Sequence, residues 1–167
     1  MKEESLNTAV ELAVAQIDPD KIDQWLTCGA DEAYMETAEK LQTICDETPN
    51  IQYLYVYQIR PDGCHVVFDH ETTSNYLKRF DEVPELTTDA LGTVVPFSKG
   101  FEDVIPTLLE GGRIITIETN DNFGWLMTKY EPIYDSTGKC VAYVGADMSM
   151  LGVNDYNLAI FRLTRAE

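Results

Sequence analysis

The sequence feature that most restricts the fold is the stretch Ile51–Ile59, which is rich in β-branched and aromatic residues. Such residues fit the pleated, half-buried surface of a β-strand. Neighbouring side chains of a strand point to opposite faces, so one face is expected to carry Tyr53, Tyr55, Tyr57 and Ile59, and the other Leu54 and Val56. Both faces are apolar or amphipathic, so the pattern predicts a central strand that is covered on both sides.

A turn and a second strand follow this central strand. Pro61-Asp62-Gly63 has the composition of a tight turn, and Cys64–Asp69 then returns as a strand. Two strands joined so closely form an antiparallel hairpin. Three more strands are predicted later in the chain, at Arg113–Glu118, Trp125–Tyr134 and Lys139–Met148. The sequence therefore predicts an antiparallel sheet of five strands.

Helices precede this sheet along the chain. Apolar residues recur at helical spacing over residues 3–17. Asp18-Pro19 then begins a short second helix that Gly29 ends. Asp31 is the expected N-cap of a third helix, which Thr48-Pro49 ends. Helices first and hairpins afterwards indicate the α+β class, with the N-terminal helices packed on one face of the sheet.

The first hairpin is separated from the later strands by a long connection over residues 70–100 and a short predicted helix at Phe101–Leu109. Asn120-Asp121-Asn122 is expected to be a turn. A connection of this length inside a compact domain is usually functional. The connection is therefore a candidate wall of a binding site.

The length predicts the number of domains, and the net charge excludes some classes of binding partner. One domain is the default for 167 residues, with N-terminal helices over 1–48, the sheet over 51–148 and an exit segment over 149–167. The net charge of −17 argues against a nucleic-acid partner, which needs clustered Lys and Arg, and against an anionic membrane surface. No stretch is long and apolar enough to predict a membrane-spanning helix.

Two consecutive segments near the C-terminus are more specific than their periodicity. The predicted strand Trp125–Tyr134 ends in Pro-Ile-Tyr, followed by Asp135 and a glycine turn, and the next strand ends in Val144-Gly145-Ala146-Asp147-Met148-Ser149. This hairpin resembles the Cache family, the PAS-like extracytoplasmic sensor domains of bacterial receptors. The hairpin over residues 53–69 and the helices before it match the same layout. The segments Pro96–Gly112 and Asn120–Tyr130 look most like the Cache domains of clostridial-type membrane signalling proteins.

The resemblance implies a function and a cellular location. Members sense small molecules outside the cell for transmembrane signal-transduction proteins with diguanylate cyclase, phosphatase, histidine kinase or chemoreceptor outputs. Transmembrane helices are then expected before residue 1 and after about residue 165. A homodimer through the N-terminal helix is a candidate assembly, because part of that helix stays exposed if only one of its faces packs on the sheet. No catalytic activity and no cofactor are expected. The alternative is a PAS-like dimerisation or interaction module without a ligand.

The resemblance also places the ligand on the sheet face away from the long helices, beneath the long connection. Strand alternation assigns Tyr143, Gly145 and Asp147 to that face, and Ala142, Val144, Ala146 and Met148 to the other. Asp147 is a candidate partner for a ligand ammonium or amide, or a carboxylate that bonds backbone donors. Tyr130 is a candidate ligand contact on the neighbouring strand, or a tyrosine packed against its neighbours.

Four further residues complete the candidate site. Tyr55 and Tyr57 offer rigid contact area and hydroxyls, Trp125 caps the pocket or fills the core, and Arg113 holds a ligand carboxylate or forms a surface ion pair. The predicted ligand-binding residues are thus Tyr55, Tyr57, Arg113, Trp125, Tyr130, Tyr143 and Asp147. No metal site is expected, because alternation puts Cys64 and His65 on opposite faces.

One departure from the family concerns the ligand. Amino-acid-binding Cache domains carry an Arg and aromatic cluster before the third strand. Here the connection offers Tyr76, Lys78 and Arg79 but no Arg-x-Trp-Tyr. An amino-acid ligand is therefore not expected.

Overall fold

The structure is a computed structural model that describes residues 2–73, 88–121 and 124–150. Three helices and a 3-10 turn form the N-terminal part of the protein. The helices are α1 (Lys2–Gln16), α2 (Ile22–Cys28) and α3 (Glu32–Glu47), with the 3-10 turn at Pro19–Lys21. Asp18 accepts a hydrogen bond from the Asp20 N–H at 3.0 Å, and Asp31 accepts one from the Tyr34 N–H at 2.8 Å. Both residues are therefore the N-caps that the sequence predicts.

The sheet is antiparallel throughout the described residues. Its strands are β1 (Ile51–Arg60), β2 (Gly63–Glu71), β3 (Val94–Val95), β4 (Ile117–Asp121), β5 (Gly124–Tyr134) and β6 (Cys140–Ser149). They lie in the order β3-β2-β1-β6-β5-β4, so β1 and β6 occupy the centre. The predicted α+β class, with helices followed by an antiparallel sheet, is confirmed, but the described sheet has six strands rather than five, because β3 adds a short edge strand beside β2.

The helices cover one face of the sheet. α1 contacts α3, β5 and β6, while α3 contacts β1 and β2. The apolar stripe predicted for α1 is buried in this layer with the side chains of one face of each central strand, namely Leu54, Val56, Ala142, Val144, Ala146 and Met148. The two-residue period therefore assigned these side chains to the correct face. Burial of this apolar surface is the main term that holds the helices on the sheet.

The other face carries a smaller aromatic cluster. Tyr53, Tyr55, Tyr130 and Tyr143 lie there with Phe101, Leu108 and Leu126. Leu108 belongs to α4 (Ile105–Leu109), which contacts β1 from this side. The predicted helix at Phe101–Leu109 thus begins later, and Phe101 instead packs against the tyrosines.

A β-bulge in β2 changes which of its side chains share a face. Val56 pairs with Phe68 and Tyr57 pairs with Val66, so Val67 is the extra residue. Without the bulge, Cys64 and Asp69 would point to opposite faces, because they are five positions apart in the chain and side chains alternate along a strand. With it, Cys64 and Asp69 both line the cavity described below.

Two local predictions were wrong. The strand expected at Arg113–Glu118 is β4 at Ile117–Asp121, and Asn120 and Asp121 belong to this strand rather than to a turn. The β-branched run before Ile117 favours a strand by composition, but strand formation needs a paired neighbour. Residues 112–116 do not belong to a strand, and the Ile115 side chain is 79% exposed.

Several predictions concern residues outside the described ranges. Tyr76, Lys78 and Arg79 of the long connection lie there, and so does the exit segment beyond Met150. Among the described helices, none combines the length and the hydropathy that crossing a bilayer would require.

Candidate functional site

A cavity of about 630 Å³ opens on the sheet face opposite α1 and α3. Side chains of β1, β2, β5 and β6 form its floor, and its upper wall comes from segments around Thr88–Asp89, Val95–Phe101 and Thr119–Asn120. This volume lies within the usual range of small-molecule sites, about 300–1,000 Å³. The wall contributed by residues 95–101 belongs to the long connection in which the sequence predicted a functional role.

Tyrosine rings make up most of the floor. Tyr53, Tyr55 and Tyr57 project from β1 and Tyr130 from β5, and all four line the cavity. The rings of Tyr55 and Tyr57 lie 4.6 Å apart, and the Tyr55 and Tyr130 rings meet edge to face at 6.0 Å. Burial raises the pKa of Tyr55, Tyr57 and Tyr130 well above the ordinary value. Their hydroxyls therefore remain protonated and can donate hydrogen bonds.

Asp147 forms a buried polar centre at the base of the cavity. Its Oδ1 accepts hydrogen bonds from the Tyr55 hydroxyl at 2.8 Å and from the Thr128 hydroxyl at 2.7 Å. The residue is only 8% exposed, and it lines the cavity. Two donors on one oxygen fix the orientation of the carboxylate, since charge-assisted hydrogen bonds are strong and directional. The sequence singled out Asp147 but gave no indication that side-chain hydroxyls would hold it.

Gly145 makes this arrangement possible. It lies opposite Tyr55 in the β1–β6 register, and a Cβ atom built on it would lie within 2.8 Å of three atoms of the Tyr55 ring. The ring therefore lies directly over the backbone of β6 and reaches the carboxylate two residues further along. Only glycine leaves room for this close approach.

The β2 side of the cavity is acidic. Asp69 and Glu71 project into it from β2, and Asp89 lines it from the upper wall. The Asp69 Oδ2 accepts a hydrogen bond from the Asp89 N–H at 2.7 Å. Burial raises the pKa of Asp69 to about 6, and the negative charges of Asp89 and Glu71 act in the same direction. The Asp69 carboxyl consequently titrates close to neutral pH.

This pKa predicts a pH-dependent contribution of Asp69 to stability. A carboxyl whose folded pKa is raised from 3.8 binds its proton more tightly in the folded state, so its ionisation destabilises the fold. We expect the difference in unfolding free energy between the wild type and Asp69→Asn to shift in favour of the wild type as pH falls from 7 to 4. This difference in unfolding free energy should be constant above about pH 7 and below the pKa of Asp69 in the unfolded chain. Urea unfolding of both proteins across this range measures it.

Comparison with Asp69→Asn removes the contributions of other carboxyls from this measurement. The groups that act on Asp69 are Asp89 from the upper wall and Glu71 from its own strand, while Asp69 acts on Tyr57 of β1 and on Tyr34 and Cys45 of α3. Burial raises the pKa of Tyr34, Tyr57 and Cys45, so these three groups stay protonated across the range of the experiment. A difference that does not change with pH would show that Asp69 has an ordinary pKa.

Four of the seven predicted site residues line this cavity, and three do not. Tyr55, Tyr57, Tyr130 and Asp147 line it. The Arg113 side chain is 62% exposed and donates to Glu131 at 2.8 Å. It therefore forms a surface ion pair, which was one of the two roles predicted for it. Trp125 is half-buried and donates its indole N–H to Glu118.

Tyr143 shares the aromatic face, but it contacts a different region. Its ring lies 5.9 Å from that of Tyr130, and its hydroxyl donates to the Gly112 carbonyl at 2.7 Å. It borders a separate hollow of about 440 Å³. Tyr143 therefore holds β6 against the loop that follows α4. This role cannot be predicted from the sequence, because it depends on where the tertiary fold places that loop.

Several lining residues were not predicted from the sequence. Asp69 and Glu71 reach the cavity because of the bulge in β2, which no sequence pattern marks. Phe101 and Lys99 reach it because the connection folds back over the sheet. Thr128 lies two residues before the predicted contact Tyr130, so alternation puts both on one face, but the sequence does not indicate its hydrogen bond to Asp147. Among the described residues, no group of three or more His, Cys, Asp or Glu side chains is arranged to hold a metal ion.

Comparisons with known proteins give only distant similarities of fold. No family model matches the sequence. No curated protein matches it either. The periplasmic sensory domain of the Campylobacter jejuni chemoreceptor Tlp1 is 12% identical, with a TM-score of 0.48, and the match covers 94% of this chain and 58% of that one.

A structure of an RNA-binding Light-Oxygen-Voltage receptor is 9% identical, with a TM-score of 0.42 and coverage of 98% of this chain and 59% of that one. The chain thus spans less than two thirds of the length of each of these two structures. No residue role is transferred from either.

Proposed function

We propose that this chain is the extracytoplasmic sensing domain of a bacterial membrane-bound signalling protein and that it binds a small molecule without transforming it. The observation that carries the proposal is the cavity on the sheet face opposite α1 and α3, with an oriented carboxylate at its base. Concave sites with an aromatic lining and a few fixed polar groups are the usual form of small-molecule sites. The output is assigned to another part of the receptor, as a diguanylate cyclase, phosphatase, histidine kinase or chemoreceptor domain.

The chemistry of the lining favours binding over catalysis. Cys64 is the one cysteine among the described lining residues, and burial raises its pKa to about 12. It therefore remains a thiol, which is a poor nucleophile. No histidine is among the described lining residues, so a His-based acid–base pair is missing from this part of the site. The proposal accordingly includes no cofactor, no metal and no reaction.

The position of the cavity offers a route from ligand to helices. Asp147 lies between Ala146 and Met148 on β6, and both of these neighbours are buried in the helix layer. A ligand that shifts Asp147 would therefore act on the surface against which α1 packs. Such coupling requires a ligand that binds one arrangement of the helices better than another.

A thermal-shift screen of the isolated chain against a metabolite array tests the proposal. We expect at least one compound to raise the Tm of the wild type, and its affinity to fall about tenfold or more in Asp147→Asn, because a hydrogen-bonded charge contributes about 1.5–3 kcal/mol. Glu39→Gln is the matched control, since it removes one negative charge from an exposed position on α3. If no compound raises the Tm, or if Asp147→Asn binds every hit as the wild type does, the sensing proposal is wrong.

The alternative is a ligand-free module that pairs two copies through the N-terminal helix. Leu12 of α1 is 46% exposed, which fits a partly uncovered apolar position on this helix. A homodimer through α1 is also part of the sensing proposal, so the oligomeric state alone does not separate the two. A stable dimer that responds to no compound in the screen would favour the ligand-free module.

A further inference from the structure

The charge of the cavity lining is strongly unbalanced. Among the described residues, four carboxylates line it, from Asp69, Glu71, Asp89 and Asp147. Lys99 is the single cationic side chain among the described residues of the lining, and it is exposed. The potential inside a partly enclosed site follows the sign of the charges around it, because low-dielectric walls focus the field. The cavity therefore attracts cations and repels anions.

A ligand that carries a carboxylate would find among these residues the exposed Lys99 as its cationic partner, and no arginine. Arg113, the candidate for this role in the sequence, lies outside the cavity and pairs with Glu131. Recognition of a carboxylate usually relies on the planar fork of an arginine. Bringing a ligand carboxylate close to Asp69 and Asp147 without such a partner would cost free energy.

The tyrosine floor also favours positive charge. The faces of aromatic rings carry partial negative charge and attract ammonium groups within about 6 Å of the ring centre. Tyr53, Tyr55 and Tyr57 present their rings along one strand at the base of the cavity. This is an observation independent of the carboxylates, and it indicates the same ligand charge.

The sheet register places acidic groups at two separate positions. Tyr53 pairs with Glu71 of β2 on one side and with Asp147 of β6 on the other. Neighbouring strands lie about 4.8 Å apart, so the backbones that carry these two carboxylates are separated by about 10 Å. An extended molecule with a positive group near each end spans such a distance, with its aliphatic part against the tyrosine rings.

From these observations we infer that the cavity binds an aliphatic diamine or polyamine, an organic cation with two or more amino groups and no carboxylate. One ammonium group lies at the β2 side beside Asp69 and Glu71, and another lies toward Asp147, with the tyrosine rings between them. This inference rests on the proposed sensing function and names the ligand class for the same site.

Isothermal titration and thermal shift with matched probes test the inference. The probes are putrescine, spermidine, butylamine, γ-aminobutyrate and succinate. Putrescine and γ-aminobutyrate are similar in length and differ in one terminal group, an amine in the first and a carboxylate in the second. We expect putrescine or spermidine to bind, butylamine to bind about tenfold or more weakly, and γ-aminobutyrate and succinate not to bind.

The protein variants locate the binding. Asp69→Asn and Asp147→Asn should each weaken diamine binding about tenfold or more, while Glu39→Gln should bind as the wild type does. Using two cavity variants keeps the test valid if one of them folds poorly. Binding should also weaken as pH falls through about 6, where Asp69 becomes protonated.

The outcomes separate this inference from the proposed function. If γ-aminobutyrate or succinate binds as tightly as putrescine, or if all variants bind the amines equally, the ligand class is wrong. If no amine binds but another metabolite stabilises the wild type and not Asp147→Asn, the ligand class is wrong and the sensing function stands. If nothing binds, both are overturned.

Discussion

Replacing Gly145 with alanine is expected to destabilise the protein by about 3 kcal/mol and to abolish ligand binding. The new methyl group would overlap the Tyr55 ring, three atoms of which lie within 2.8 Å of its position. Because the opposing atoms belong to a rigid, buried ring, the ring must move away from β6. Its hydroxyl then loses Asp147 Oδ1, to which it donates at 2.8 Å, and the carboxylate loses one of its two hydroxyl donors.

Urea unfolding and titration with the compound found in the screen measure both effects. A double-mutant cycle supplies the control, since Gly145→Ala should cost little or nothing in a Tyr55→Ala background, where the ring is gone and glycine loses more conformational freedom on folding than alanine. Tyr55→Phe separates the hydrogen bond from the packing, because it keeps the ring and removes the hydroxyl. If Gly145→Ala costs the same with and without the Tyr55 ring, the close approach is not what requires glycine here.

Replacing Trp25 with alanine is expected to cost about 4 kcal/mol, the range for a large aromatic side chain removed from a core. Trp25 is 1% exposed, and its ring meets those of Tyr34 and Phe68 edge to face at 5.4 and 5.5 Å. Its indole N–H also donates at 2.9 Å to Asp31, the carboxylate that caps α3. One side chain of α2 thus joins the start of α3 to β2.

Trp125→Ala is the matched control for this prediction. Trp125 is half-buried on β5, and its indole N–H bonds to Glu118 on the edge strand β4, so we expect a loss of about 1 kcal/mol. Urea unfolding followed by far-ultraviolet circular dichroism measures both variants. Equal losses would show that the contact of α2 and α3 with β2 is not a main source of stability. Trp125→Ala should also leave ligand binding unchanged, because Trp125 does not line the cavity.

The strands and their faces are predictable from the sequence to a large extent. The alternation of Tyr53, Tyr55 and Tyr57 with Leu54 and Val56 separates the aromatic face from the helix face, as the structure confirms. The same period placed Asp147 with Tyr143, away from the aliphatic side chains of β6. The prediction succeeds because successive side chains of a strand point to opposite faces of the sheet, and burial of both faces fixes the register.

The composition of the cavity was less predictable. Asp69 reaches it through an extra residue at Val67, and a bulge of this kind leaves no mark in the alternation of a single strand. Arg113 was assigned to the pocket because it begins a run of strand-forming residues, yet the paired part of β4 starts only at Ile117. Pairing depends on the neighbouring strand, which the local sequence does not contain.

The sequence by itself determined the α+β class, the hairpins, the helix caps at Asp18 and Asp31 and the face on which Asp147 lies. These follow from local rules, namely side-chain period, turn composition and capping chemistry. Only the tertiary structure decided that Gly145 admits the Tyr55 ring, that two hydroxyls hold Asp147, and that carboxylates from β2 and β6 share one cavity. These features join residues up to 92 positions apart in the chain, and their geometry depends on register and on a bulge, which arise only when the strands pair.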